Sequence, residues 1–209
     1  AHKRWSHELT DAVDEFCEKY DGVVLCDHIT NYQGRYGVYY SLLTSQADKS
    51  YPCASPQTVI YIGDISSAYP KNFHFSDVWR VCLDGELRDV LRKYGGRQKY
   101  VFEMDEQTFF SIYNSMQEKR AATHYFDEWK QTLEHLENQI PPLPFSNLWV
   151  AQQTAYKLPR GSSLYLAIEN TLRTWNFFPK DASIYGCSNT GGFGIDGGVS
   201  SLIGASFAN

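Results

Sequence analysis

Residues 188–198 read SNTGGFGIDGG, and residues 199–206 continue as VSSLIGAS. Five of the first eleven residues are glycine, which places backbone freedom where a chain must turn sharply or let a ligand approach closely. Ahead of this stretch, residues 183–187, SIYGC, read as a short strand, and the small residues behind it read as the opening of a helix. A strand, a glycine turn and a helix start with free N–H groups together make an arrangement that can hold a phosphate. Residues 192–197 also spell GxGxxG, a pattern that taken alone fits a tight structural turn as well as a dinucleotide site. The complete dinucleotide fingerprint needs a further strand and an acidic residue roughly 20 positions on, and the sequence given ends at Asn209.

The wider wording is more specific than the glycines. A short interval upstream stands LPRGSSLYLAIENTLRTWNFF, residues 158–178. Asn170-Thr171, Arg173, Ser188-Asn189-Thr190-Gly191 and Gly194-Ile195-Asp196-Gly197 follow one another in an order and spacing that resembles one family. It is that of the thiamine-diphosphate-dependent 2-succinyl-5-enolpyruvyl-6-hydroxy-3-cyclohexene-1-carboxylate synthases of menaquinone biosynthesis. The resemblance implies a fragment of a transferase that decarboxylates a 2-oxo acid and adds the resulting carbanion to an acceptor. The family's pair of substrates is 2-oxoglutarate and isochorismate. Residues 1–140 would then be a middle, Rossmann-like structural domain, and residues 141–209 the truncated start of the diphosphate-binding domain. Thiamine diphosphate and Mg²⁺ belong to the full-length parent, a homo-oligomer acting on a small-molecule 2-oxo acid. Neither is expected in the fragment, which by the same reading carries no catalytic residue and no metal ligand.

Within the fragment, the resemblance puts Asn170, Thr171, Gly194 and Ile195 beside the cofactor, with Ile195 propping its bent form, and Arg173 beside the substrate. Read by themselves, Asn170 and Thr171 are helix-cap residues, Ile195 is a core anchor, Asp196 caps the following helix and Arg173 forms a surface ion pair. Two departures bear on the substrate. Thr190 stands where the family carries an arginine, and Arg173 follows Asn170 more closely than the family's arginine does. Arginines are the natural clamp for a dicarboxylate. The alternatives are therefore a thiamine-diphosphate decarboxylase of another pathway, or a nucleotide-binding or structural domain without activity.

Composition narrows the classes further. With 43% hydrophobic and 21% charged residues, the 209-residue chain has the make-up of a globular protein. A net charge of −5 without a lysine or arginine stripe argues against a nucleic-acid partner. The five cysteines, Cys17, Cys26, Cys53, Cys82 and Cys187, are scattered, odd in number and free of CxxC spacing, so buried thiols in a reducing cytoplasm are expected. No apolar run approaches the ~18 residues of a membrane helix, and the opening residues lack the apolar centre of a signal peptide. Both ends read as helix, which is expected of a fragment.

Along the chain, Trp5, Leu9, Val13, Phe16 and Tyr20 recur at helical spacing, with Ser6 or Thr10 as cap and Asp21-Gly22 as stop. Residues 23–26, VVLC, form a continuous apolar run typical of a parallel strand, and Asp27-His28 after it reads as the start of a loop. Residues 31–45 are tyrosine-rich and then helical; further strands are expected at 58–62, 78–83 and 99–103, with Asp105 capping a helix over 106–113 and another helix near 123–138. Pro141, Pro142 and Pro144 break the pattern and mark the domain boundary. A helix at 146–157, a strand at 162–168 and a helix start at 171–177 follow. Alternating strands and helices predict a three-layer α/β fold with a mainly parallel sheet.

Overall fold

The computed structural model describes residues 5–46, 51–63, 73–85, 98–116, 118, 124–189 and 197–207. Helix α1 (His7–Tyr20) starts where the Ser6 hydroxyl accepts the Leu9 N–H at 3.1 Å. It ends at Asp21, whose left-handed φ of 55° stops the helix. The Asp21 carboxylate then accepts from the N–H groups of His124 and Tyr125, both at 3.1 Å, and so caps α4 (Tyr125–Glu137). One residue thus closes one helix and opens another about a hundred positions away.

Strands β1 (Val24–Cys26) and β2 (Gly37–Tyr39) pair in parallel. Strands β3 (Thr58–Tyr61), β4 (Asp77–Cys82) and β5 (Gln98–Glu103) form a second parallel ladder in that order. All ladders among the described residues are parallel, as the sequence pattern predicts. Between β1 and β3 lies a cavity of about 720 Å³ lined by Val23, Val24 and Leu25 on one side and Val59, Ile60 and Tyr61 on the other.

Strands β1, β3 and β4 present apolar residues on both faces because helices cover both. Val78 of β4 packs with Trp129, Leu133 and Leu136 of α4 and with Leu43 of the single-turn α2 (Ser41–Thr44). Val81, on the other face, packs with Leu9 and Val13 of α1 and with Phe109 and Phe110 of α3 (Glu106–Met116). The alternation continues in the neighbours: Leu25 and Val59 join the first core, Val24 and Ile60 the second. This is the three-layer α/β arrangement expected. Asp105 caps α3 as read from the sequence, accepting the Thr108 N–H at 2.9 Å and the Thr108 hydroxyl at 2.6 Å.

Past α4, Pro141, Pro142 and Pro144 stand outside any helix or strand. Helix α5 (Asn147–Thr154), capped by Ser146, passes into a 3₁₀ turn at Ala155–Lys157. Strand β6 (Ser163–Leu166), helix α6 (Asn170–Trp175), strand β7 (Tyr185–Ser188) and helix α7 (Gly198–Ser206) complete the chain, with β6 and β7 parallel. Two local readings differ. Residues 31–45 contain β2 before a helix of one turn, because the three residues Gly37–Tyr39 carry too short a pattern to register as a strand beside so many tyrosines. The helix expected over 146–157 tightens to 3₁₀ in its last three residues. The five thiols are free, with Cys17, Cys26, Cys53 and Cys82 buried. Among the described residues, no helix is long and apolar enough to cross a membrane.

Trp129 has no exposed surface and packs beside Phe73 and Tyr125. Trp129→Ala is expected to lower the free energy of unfolding by about 3–5 kcal/mol in chemical denaturation, the usual range for deleting a buried aromatic. A loss under about 1 kcal/mol would show that this core is not closed in solution.

Candidate functional site

Because β6 and β7 run in parallel, their C-terminal ends lie side by side, with Leu166 opposite Ser188. In α/β sheets this end is where ligands sit. After β6 the chain turns through Glu169, which holds a φ of 71° and a ψ of −119°, a conformation rare outside glycine. Asn170 and Thr171 then open α6, which the fully buried Leu172 anchors beneath the strands. Asn170 is exposed and Thr171 half-buried. The Asn170 carbonyl accepts from the Thr174 hydroxyl. Arg173 pairs with Glu169 one turn back at 2.6 Å, with half of its side chain in solvent.

At the end of β7, Ser188 is buried and its hydroxyl has no hydrogen-bond partner among the described residues. Asn189 follows it. Thr190, Gly194, Ile195 and Asp196 lie outside the described residues, and the structure resumes at Gly197, the N-cap of α7. Of the residues singled out in the sequence, the structure brings the Asn170-Thr171 pair and the Ser188-Asn189 pair to adjacent strand ends.

Behind these ends lies a junction that sequence reasoning missed. Asp27 does start a loop: its carboxylate accepts from Ile29 N–H at 3.0 Å and from the Thr30 hydroxyl at 2.7 Å. His28, however, is fully buried against the C-terminal part of the chain. Its N–H donates to Asn176 Oδ1 at 2.9 Å, and its ring Nδ1 lies 3.1 Å from the same oxygen. A carbonyl oxygen only accepts, so Nδ1 carries the ring proton and Nε2 is left as a bare acceptor. Nε2 has no partner among the described residues, and neither has Asn176 Nδ2.

Gly186 of β7 packs so closely under the His28 carbonyl that any Cβ would collide with that oxygen. Asn31, at a φ of 56°, donates its side-chain amide to Gly186 O at 2.8 Å and accepts the Gly186 N–H at 2.7 Å. Gln33 donates to Ala182 O at 3.0 Å, and Ile29 fills a small core with Leu166 and Leu172. Lys180, buried, donates to Ile184 O at 2.5 Å. The sequence signal for all of this was slight: three amide side chains in loops, and one glycine inside a strand.

Burial pushes the His28 imidazole down to about 4, helped by the Lys180 ammonium and opposed by Asp27 and the Asn176 bond. Burial also lowers Lys180, with Cys26, Asp27 and Asp181 opposing.

The fold and the paired strand ends define an α/β protein with a candidate anion site at the C-terminal edge of a parallel ladder. In sequence, the chain is similar to curated proteins named 2-succinyl-5-enolpyruvyl-6-hydroxy-3-cyclohexene-1-carboxylate synthase. The one from Phocaeicola vulgatus is 28% identical over 141 residues, 68% of this chain and 24% of the relative. The one from Bacteroides fragilis is 27% identical over 159 residues, 74% of this chain and 28% of the relative. The one from Christiangramia forsetii is 34% identical over 73 residues, 35% of this chain and 13% of the relative. The chain thus spans about a quarter of the length of the first two relatives. No family model matches it. The family resemblance read from residues 158–178 and 188–206 is borne out by these relatives, which are enzymes by name.

A histidine kept neutral by burial makes the fold acid-sensitive. The unfolded chain binds the proton near pH 6.5 and the folded chain only near 4, so stability is fully present above about 6.5 and falls as pH drops towards 4. At pH 5 the loss due to His28 is expected to be about 2 kcal/mol. Urea midpoints measured between pH 7 and 5 check this: the slope should flatten in His28→Gln, and an equal slope in both proteins would count against it.

Proposed function

We propose that the chain is part of a thiamine-diphosphate-dependent enzyme of the kind its relatives are named for, divided into a structural domain at residues 1–140 and the start of a diphosphate-binding domain at residues 141–209. The observation that carries this reading is the similarity across 68–74% of the chain to synthases of one name, together with the adjacent ends of β6 and β7. The residues present suit a diphosphate in kind. Asn170 and Thr171 supply amide and hydroxyl groups, and Ser188 adds a buried hydroxyl without a partner among the described residues. By the family resemblance, Gly194 and Ile195, from the segment between β7 and α7, would complete the cradle. Thiamine diphosphate, when bound, supplies the chemistry that removes the carboxylate of a 2-oxo acid and joins the remaining carbons to an acceptor. By the same resemblance, this reading takes the Mg²⁺ ligands from elsewhere in the parent. Five free thiols fit a cytoplasmic setting.

One observation favours a second reading of the substrate. Thr190 stands where the resembled family has an arginine, which makes Arg173 a candidate cation for a carboxylate. Arg173 already pairs with the Glu169 carboxylate, so binding substrate would exchange one carboxylate partner for another. A 2-oxo acid other than 2-oxoglutarate is compatible with this site.

The test is cofactor-dependent release of carbon dioxide by the full-length protein from 2-oxoglutarate and from pyruvate, each with and without isochorismate. No release from either acid would overturn the reading. The 209-residue chain alone should show no activity and little heat of thiamine diphosphate binding, because it holds only part of one cofactor site; micromolar binding would overturn the domain division. In the full-length enzyme, Arg173→Ala should raise KM for the 2-oxo acid by roughly thirtyfold with cofactor affinity unchanged, as expected when a charge-assisted carboxylate contact is lost. Thr190→Arg should shift preference towards 2-oxoglutarate. An unchanged KM in Arg173→Ala would assign the residue to its surface pair with Glu169.

A further inference from the structure

The loop that follows β1 belongs to the N-terminal sheet by sequence, yet it docks on β7. Tyr185 of β7 donates its N–H towards β6, to Ser162 O at 3.0 Å. Gly186 therefore presents its N–H and carbonyl to the opposite side, the edge of the ladder that pairs with no other strand among the described residues. A free edge inside a protein leaves backbone groups to be satisfied. Here the Asn31 side chain satisfies both, donating to the carbonyl and accepting from the N–H. Its amide is the chemical copy of a backbone peptide group, and its left-handed backbone points that amide at the strand.

The loop is itself held from the other side. The Trp5 indole donates to Thr30 O at 2.7 Å, and Asp27 locks the turn through Ile29 and Thr30. Next to Asn31, Ile29 is fully buried against Leu166, the last residue of β6, and Leu172, the anchor of α6. His28 binds Asn176, just past the last turn of α6. The loop therefore touches both strands and the helix whose ends form the candidate anion site, without contributing a group to that site.

We propose that Asn31 is a positioning residue for this site. Its amide serves as a third strand on β7 and, with Ile29 and His28, fixes the ends of β6 and β7 relative to each other. The N-terminal α/β unit then shapes the cofactor site instead of serving only as a neighbouring scaffold. That this site holds a diphosphate rests on the function proposed above; the positioning itself does not. By linkage, whatever binds at the strand ends tightens the junction by the same free energy with which the junction favours binding.

Two variants separate the amide from the backbone it sits on. Asn31→Gly keeps the left-handed conformation and removes the amide. Asn31→Asp keeps the acceptor for Gly186 N–H and loses the donor. Hydrogen exchange followed by mass spectrometry on the chain is read for peptides covering residues 163–169 and 184–189, with residues 77–82 and 125–137 as internal controls. The expected result is exchange faster by about tenfold at 163–169 and 184–189 in Asn31→Gly, an intermediate increase in Asn31→Asp and unchanged controls. Unchanged exchange at 184–189, or an equal increase everywhere, would overturn the proposal. In the full-length protein, Asn31→Gly should weaken thiamine diphosphate binding by about tenfold, with kcat at saturating cofactor preserved and Asn31→Asp falling between. Local loosening without any loss of cofactor affinity would also overturn the positioning role. Local loosening in a full-length protein that binds no thiamine diphosphate at all would uphold the brace and overturn the cofactor reading.

Discussion

The His28 carbonyl lies against the α-carbon of Gly186, and only a hydrogen atom fits between them. Much of the C-terminal part of the molecule depends on that approach. Because the two backbones touch, the loop after β1 can reach the edge of β7 with side chains as short as that of Asn31. The same contact buries His28 completely, between the rings of Tyr39 and Trp175. Once buried, the ring has one tautomer available and its proton uptake is held down to about 4. Nε2 and the Asn176 amide nitrogen, without partners among the described residues, are part of the cost of that proximity.

The N-terminal unit gives the loop a firm base. Each of β1, β3 and β4 contributes alternate residues to two separate cores. Asp21 ties the end of α1 to the start of α4, on opposite faces of the sheet, and so links the two helical layers through hydrogen bonds as well as apolar packing. The loop leaves this unit at Cys26, the end of β1. It is therefore anchored to a strand that packs into both cores, through Leu25 on one face and Val24 and Cys26 on the other.

Much of this architecture is legible in the sequence, for physical reasons. Continuous apolar runs at 23–26 and 58–62 announce doubly covered strands, and Ser6, Asp21 and Asp105 announce helix ends because their side chains bond the N–H groups or tolerate the backbone found there. The three prolines mark the break after α4. What is not legible depends on contacts between distant residues. Strand β2 has three residues and no periodicity to detect. Asn31 and Asn176 look like ordinary loop and helix-end amides, and nothing local shows that partners lie 155 and 148 positions away. In the candidate site, the pairing of Asn170-Thr171 with Ser188-Asn189 could be read only through family resemblance, since the parallel register that joins them is a property of β6 and β7 together.

The chemistry of the junction follows from what a buried contact between two parts of a chain must tolerate. Its bonds run largely through the neutral amides of Asn31, Gln33 and Asn176, while ion pairs such as Arg160–Asp181 and Arg173–Glu169 are left at the solvent-exposed rim. A buried ion pair must recover a large desolvation cost, whereas an amide loses less water and offers donor and acceptor at once. An amide is also the group that matches a strand edge, where N–H and C=O alternate. Lys180 shows the other solution at a price: its buried ammonium donates to the Ile184 carbonyl, and its proton affinity falls because the lost water outweighs the opposing Cys26, Asp27 and Asp181 side chains. With its contacts made mainly by groups that do not titrate near neutrality, the brace behind β6 and β7 depends on pH chiefly through His28. The strand ends that carry the candidate site are therefore set by backbone-like bonds whose strength depends little on ionic conditions.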